Sequence, residues 1–180
     1  MPEAVDADTM GGEPDGLERL WTPHRLAYVK AERPEGEPRG CPLCKKTESD
    51  DRAHLVVHRG EHCYVVLNLF PYNPGHLMVC PYRHVALYTD ATDAERDEMA
   101  VLTQRAMRVL ARVSSPQGFN IGINQGTAGG AGISAHLHQH VVPRWEGDSN
   151  FLPIIARTKA VPELLDDTWR RVSDAFREDQ

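Results

Sequence analysis

The chain contains no run of 18 apolar residues, which leaves nothing long enough for a membrane-spanning helix. Its first residues, MPEAVDADTMGGEPDG, lack the basic start and apolar stretch of a signal peptide, so the expected location is cytoplasmic. Positive charge is also scarce. Twenty Lys and Arg stand against 26 Asp and Glu, a formal net charge of -6. That balance argues against sequence-independent nucleic-acid binding, where basic side chains must neutralise many phosphates. A small anionic ligand stays open, because local dipoles can oppose a global charge. Cysteine is limited to Cys41, Cys44, Cys63 and Cys80. Only the first two form a C-x-x-C unit, and a reducing compartment disfavours reading it as a disulfide. Cys63 and Cys80 lie in HCYVVL and LMVCPY and read as small core residues. No repeat or low-complexity tract is visible.

What is present fits an ordinary globular domain. A length of 180 residues suits one core, and 41% hydrophobic with 26% charged residues is close to globular averages. Residues 1–16 are acidic and without periodicity, as in a mobile tail. Residues 17–31 suggest a short helix broken at Pro23, and 17–180 a single domain. HLVVHRG and HCYVVLNL read as a hairpin, and HLMVCPYRH as a further strand that Pro81 ends. Thr92 and Glu95 form a capping box ahead of Met99, Leu102, Ala106, Val109, Leu110 and Val113, which predicts a helix to about Ser114. GFNIGINQG alternates Phe119, Ile121 and Ile123 with Asn120, Gly122 and Asn124, a strand pattern. AHLHQHVVPRW reads as another strand. Leu165, Trp169, Val172 and Phe176 keep helical spacing. The fold class expected is α+β, an antiparallel sheet of about five strands with a long helix packed on it and a C-terminal helix.

In GISAHLHQHVVPRW, residues 132–145, three histidines alternate. On a strand His136, His138 and His140 would share one face, with neighbours about 7 Å apart, while Leu137, Gln139 and Val141 face the other way. Three aligned imidazoles support two chemistries. They could ligate a catalytic zinc, or one could be a nucleophile that attacks phosphorus through its neutral ring. A glycine-rich loop from Asn124 to Gly132 precedes them, and glycines let several backbone N–H groups converge on one anion. No carboxylate sits beside the histidines to act as base for a zinc hydrolase.

H-x-H-x-H followed by two apolar residues resembles the signature of the histidine triad family of nucleotide hydrolases and transferases. LNLFPYNPGHLMVCPYRHV, GFNIGINQGTAGG and HVVPRWEGDSNF extend the resemblance, over about residues 54–155, to the actinobacterial diadenosine tetraphosphate phosphorylase branch. The resemblance implies a histidine-triad-like fold with His138 as nucleophile. This residue would attack the α-phosphorus of a dinucleoside polyphosphate, and inorganic phosphate or water would release the nucleotide. It implies that His140 contacts phosphate beside the nucleophile and that Asn68 binds the ribose hydroxyls. Asn124, with the backbone around Gly130, Gly132 and Ile133, would hold the phosphates. It further implies a homodimer or higher homo-oligomer. Hydrolysis of dinucleoside polyphosphates or phosphoramidates, and nucleotide binding without catalysis, remain alternatives. Two departures from the family pattern bear on the leaving group: Gln139 stands at a commonly apolar position, and Gly132-Ile133 where many relatives carry a hydroxyl that Thr127 or Ser134 would have to replace.

CPLC alone is half a zinc site. Bacterial members of the family and the related galactose-1-phosphate uridylyltransferases are similar here, and that likeness implies Cys41, Cys44, His84 and His136 as ligands of a structural zinc in an N-terminal extension at 41–44. His76, after a Pro-Gly turn, is expected to hold the entry of its strand. His24, His54, His58 and His62 show no partner pattern and are expected to be exposed.

Overall fold

A computed structural model describes residues 40–47, 50–148 and 163–179, all within the compact unit Glu32–Gln180. The expectations for the tail 1–16, for a helix broken at Pro23 and for His24 fall outside those residues.

Five strands, β1 (Val56–Arg59), β2 (Cys63–Leu67), β3 (Leu77–Pro81), β4 (Gly118–Ile123) and β5 (Gln139–Arg144), form one sheet in the order β1-β2-β3-β5-β4. Every neighbouring pair is antiparallel. Among the described residues the α-helices are a short α1 (Pro42–Lys45), the long α2 (Asp93–Ser114) and α3 (Leu165–Glu178). The architecture is α+β, as the sequence predicts. No helix among the described residues is long and apolar enough to cross a membrane.

β2 and β3 are buried on both faces along their whole length. Cys63, Val65 and Leu67 of β2, with Leu77 and Val79 of β3, join Met99, Leu102, Ala106, Val109 and Leu110 of α2 and Val172 and Phe176 of α3 in the main core. The intervening Tyr64, Val66, Met78 and Cys80 pack on the opposite face with Leu43 of α1. Strand alternation thus makes two cores from one pair of strands, each fully buried large side chain contributing roughly 1.5–3 kcal/mol. The Tyr64 hydroxyl donates to the Leu43 carbonyl at 2.8 Å, which ties α1 to the sheet.

α2 begins and ends as its sequence dictates. Thr92 Oγ1 accepts from the Glu95 N–H at 3.2 Å, and Glu95 accepts in return from the Thr92 N–H at 2.8 Å. Ser115, at φ 45°, closes the helix in the left-handed region. The Arg83 guanidinium beside Glu95 holds its carboxyl down at about 2, so the cap stays ionised. On the next turn, Glu98 accepts the backbone N–H groups of Glu61, His62 and Cys63 at 2.8, 2.6 and 2.7 Å, fastening the β1–β2 turn to the helix. α3 docks through Trp169, whose indole donates to the Val56 carbonyl at 2.8 Å.

Candidate active site and metal centre

The triad does not lie wholly on a strand. β5 starts at Gln139, so His136 and His138 stand on the approach to it, and only His140 belongs to the ladder, opposite Met78 on one side and Gly122 on the other. The alternation nevertheless holds. Leu137 and Val141 enter the main core, Gln139 donates to Thr103 Oγ1 on α2 at 2.7 Å, and the histidines occupy the other face.

His138 is buried, and its Nδ1–H donates to the His136 carbonyl at 2.8 Å. That bond assigns the tautomer: Nε2 carries the lone pair. Burial pushes the ring below the usual imidazole range, with the carbonyl opposing weakly, so the ring is neutral near pH 7. The His140 ring lies edge-on to it, centroids 5.0 Å apart.

His140 is oriented by His76, which is fully buried. The Tyr72 N–H donates to His76 Nδ1 at 3.0 Å, which leaves the proton of the neutral ring on Nε2. That Nε2–H faces His140 Nδ1 at 2.9 Å. His140 therefore accepts at Nδ1 and presents its own proton at Nε2. Burial, then the His138 ring, pushes its pKa down to about 4, so it acts as a neutral donor. Sequence alone marks His76 only as a holder of the strand entry. Its position after the turn Pro74-Gly75 was the available signal, but nothing in the sequence set its ring against His140.

Asn68 follows β2, its side chain held by the Phe70 N–H at 3.0 Å and by His76 Nδ1 at 3.3 Å. Across the sheet it lies on the β2 side of His140, and the loop after β4 lies on the other side. Within that loop the N–H groups of Gly130 and Ala131 bond to the Thr127 and Gly126 carbonyls at 3.0 and 3.1 Å, so Gly130 has its amide engaged inside the loop. Gly129 must be glycine, because a Cβ would stand 2.4 Å from the Gln125 carbonyl oxygen. Gly132 is exposed, and the Ile133 side chain packs on the smaller core. Thr127 and Ser134 are both exposed. A cavity of about 340 Å³ opens between Asn124, His140, Tyr72, Asn120 and Arg144; His138 does not line it.

On the opposite flank of His138, Cys41, Cys44, His84 and His136 bring four ligand atoms within 4.8 Å of one another. The Sγ atoms of Cys41 and Cys44 stand 3.4 Å from His136 Nδ1, and Cys44 Sγ 3.3 Å from His84 Nδ1. Two thiolates and two imidazoles around tetrahedral zinc would be about 3.6 Å apart, given Zn–S near 2.3 Å and Zn–N near 2.0–2.1 Å. The donor set therefore fits a metal. So does the tautomer, since His136 donates its Nε2–H to the Pro81 carbonyl at 2.9 Å and keeps Nδ1 for a ligand bond.

Among the remaining histidines, His54, His58 and His62 are half-buried rather than exposed, and His58 departs furthest from a partnerless surface position. Its ring stacks on Phe176 at 5.3 Å and accepts from Arg105 at 3.1 Å, because α3 covers β1, a long-range contact the local sequence does not reveal. Burial lowers its pKa.

Fold and site together describe an α+β domain built around three buried histidines. Residues 49–147, more than half of the chain, match the family model described as the HIT domain. The chain is 48% identical over 164 residues to the AP-4-A phosphorylase of Mycobacterium tuberculosis, covering 88% of this chain and 84% of that one. It is 32% identical over 93 residues to the asymmetrical bis(5'-nucleosyl)-tetraphosphatase of Schizosaccharomyces pombe, covering 52% of this chain and 50% of that one. A crystal structure of a zinc-bound histidine triad family protein from Mycobacterium smegmatis is similar at a TM-score of 0.60 and 25% identity, over 77% of this chain and 91% of that one. The chain belongs to the HIT family.

Proposed function

We propose that the protein is a nucleotidyl transferase that cleaves diadenosine tetraphosphate with inorganic phosphate to ADP and ATP, His138 carrying the nucleotide. The observation that carries this reading is the locked ring of His138: one nitrogen bonded to the His136 carbonyl, the other holding a lone pair, beside a histidine fixed as a donor. The name of the M. tuberculosis relative supports the substrate.

In the first step the Nε2 lone pair of His138 bonds to the α-phosphorus and the P–O bond to the bridging oxygen breaks, releasing ATP with that electron pair. Asn68 would hold the ribose of the transferred nucleotide. Asn124 and the loop amides at Gly132 and Ile133 would hold its phosphate oxygens, with His140 donating from Nε2–H. Gly130 would shape this loop rather than donate, given its bond to Thr127. A preorganised donor of this kind contributes roughly 3–4 kcal/mol to the transition state. In the second step an oxygen of inorganic phosphate bonds to the same phosphorus and the P–N bond breaks, giving ADP and restoring neutral His138. Water in place of phosphate would give AMP.

The Cys41, Cys44, His84 and His136 cluster fits zinc, which would be closed to water and structural. Its role is to fix His136, whose carbonyl in turn fixes the nucleophile. The protein would work in the cytoplasm, as a homodimer or higher homo-oligomer. The edge position of β4, with Ile121 exposed, and Val101 exposed on α2 support pairing of this kind. Product analysis with diadenosine tetraphosphate, with and without phosphate, tests the reaction: ADP and ATP are expected in phosphate, and AMP in phosphate would refute phosphorolysis.

A further inference from the structure

The transferred nucleotide accounts for only one end of the cavity, at His140 and Asn124, since Asn68, its proposed ribose contact, lies on the other side of the histidines. β4 and β5 build it in register: Gly122 stands opposite His140, and Asn120 opposite Val142. From His140 it runs along β5 away from His138, reaching Asn120 and Arg144. Asn120 is two residues from Gly122, roughly 7 Å further along the strand. In-line displacement at phosphorus requires the leaving group to depart on the side away from the nucleophile, and the cavity, which His138 does not line, extends along β5 away from that residue.

The lining indicates what part of the leaving group fits. Arg144 is the one cation among the lining residues, and both arms of its guanidinium bind Asp148, at 2.6 and 2.8 Å. The Asp148 carboxyl is held far below the usual carboxylate range by that arginine, so the pair is neutral overall. Arg144 also donates to Asn120 Oδ1 at 2.6 Å, which orients the carboxamide and leaves its N–H donors for a ligand. Tyr72 is 46% exposed, with its ring against His76 and His140 at 4.7 and 5.7 Å, so an aromatic surface stands at the cavity wall. Amides, one aromatic ring and the aliphatic Ile121 and Val142, without net charge, suit a ribose and base better than a polyphosphate. A volume of about 340 Å³ is at the lower end of small-molecule sites.

We infer that this cavity binds the nucleoside of the leaving nucleotide, with Asn120 and Tyr72 as its recognition residues, so that the enzyme selects dinucleoside over mononucleoside polyphosphates. The inference rests on the proposed nucleotidyl transfer. Diadenosine tetraphosphate and adenosine tetraphosphate isolate it, because their leaving groups, ATP and triphosphate, differ only by that nucleoside.

The experiment measures kcat/KM for both substrates in phosphate, for the wild-type protein and for Asn120→Leu and Gly122→Val. Gly122 is a suitable position because it lines the cavity and an added Cβ meets nothing within 4 Å, so valine narrows the cavity without displacing backbone. The wild type is expected to favour the dinucleotide at least tenfold, and both variants to reduce that ratio to threefold or less, with melting temperatures showing that they fold. A wild-type ratio near one overturns the inference without any variant being needed. So does a full ratio retained by either folded variant. If the wild type transfers no nucleotide from either substrate, the reading of His138 fails instead.

Discussion

His136 and His140 flank the same residue, occupy the same face and are both buried, yet they use their ring nitrogens differently. His136 has both committed, Nε2 to the Pro81 carbonyl and Nδ1 toward Cys41 and Cys44. His140 commits only Nδ1, to His76. The contrast teaches that the H-x-H-x-H spacing does not set how many nitrogens are left over: His140 keeps one for a ligand of the proposed reaction, and His136 keeps none. His138 stands between these two cases, with one nitrogen held by the His136 backbone and one available.

Removing the middle ring breaks the comparison most severely. His138→Asn is expected to lower kcat by about 10⁴-fold or more, the scale on which enzymes lose a nucleophile, while nucleotide binding persists. Rapid-quench trapping of labelled nucleotide on the protein checks it: the wild type should retain label and the variant should not. Next in size is the metal flank. The wild type is expected to carry one zinc per chain by mass spectrometry, and the pair Cys41→Ser with Cys44→Ser to carry none. Loss of a closed structural site should lower stability by several kcal/mol in urea titration. Because the His136 carbonyl then loses its fixed place, kcat should fall more than KM rises. A metal-free variant with unchanged stability would remove zinc from this account.

The extent to which the sequence foretold these two flanks is uneven, and the reason is range. The capping box at Thr92 and Glu95, the helix end at Ser114 and the hairpin of β1 and β2 were legible because each is set by residues a few positions apart. The four ligands Cys41, Cys44, His84 and His136 followed from resemblance, since no local rule joins a loop to a residue 95 positions away. The strand expected through His136 and His138 starts only at Gln139, because the chain there bends to carry His136 toward the cysteines. His76 and His58 carry no partner signal in the sequence, since their neighbours, His140 and Phe176, are 64 and more than 100 residues on.

The other flank responds to His76. His76→Gln keeps a donor but displaces it, so His140 is no longer held as the Nε2–H tautomer, and kcat should fall about 10- to 100-fold, the usual cost of losing an orienting partner. The acid limb of the kcat profile should also shift, which a merely structural defect would not produce. Stability links to the same ring. Its pKa is about 4 when folded and 6.5 as the ordinary value, so between these the unfolded chain binds more protons. This contribution, on the order of 3 kcal/mol, is present in full above about pH 6.5 and is lost as pH falls toward 4. Urea midpoints in His140→Asn should show a shallower decline over that window than those of the wild type.

The smallest effect is expected at Gln139, one of the two departures from the family pattern. Its side chain points away from the histidines and donates to Thr103 Oγ1, which itself donates to the Met99 carbonyl at 2.7 Å. Gln139→Leu therefore removes one hydrogen bond between β5 and α2, typically about 0.5–1.5 kcal/mol, and leaves Thr103 with a partner. The leucine would enter the main core with Leu137 and Val141, which offsets part of that loss. Steady-state kinetics should show the same preference between diadenosine tetraphosphate and adenosine tetraphosphate as the wild type. A changed preference would mean that the helix face of β5 reaches the leaving group after all, and the separation of faces on which the histidine contrast depends would have to be abandoned.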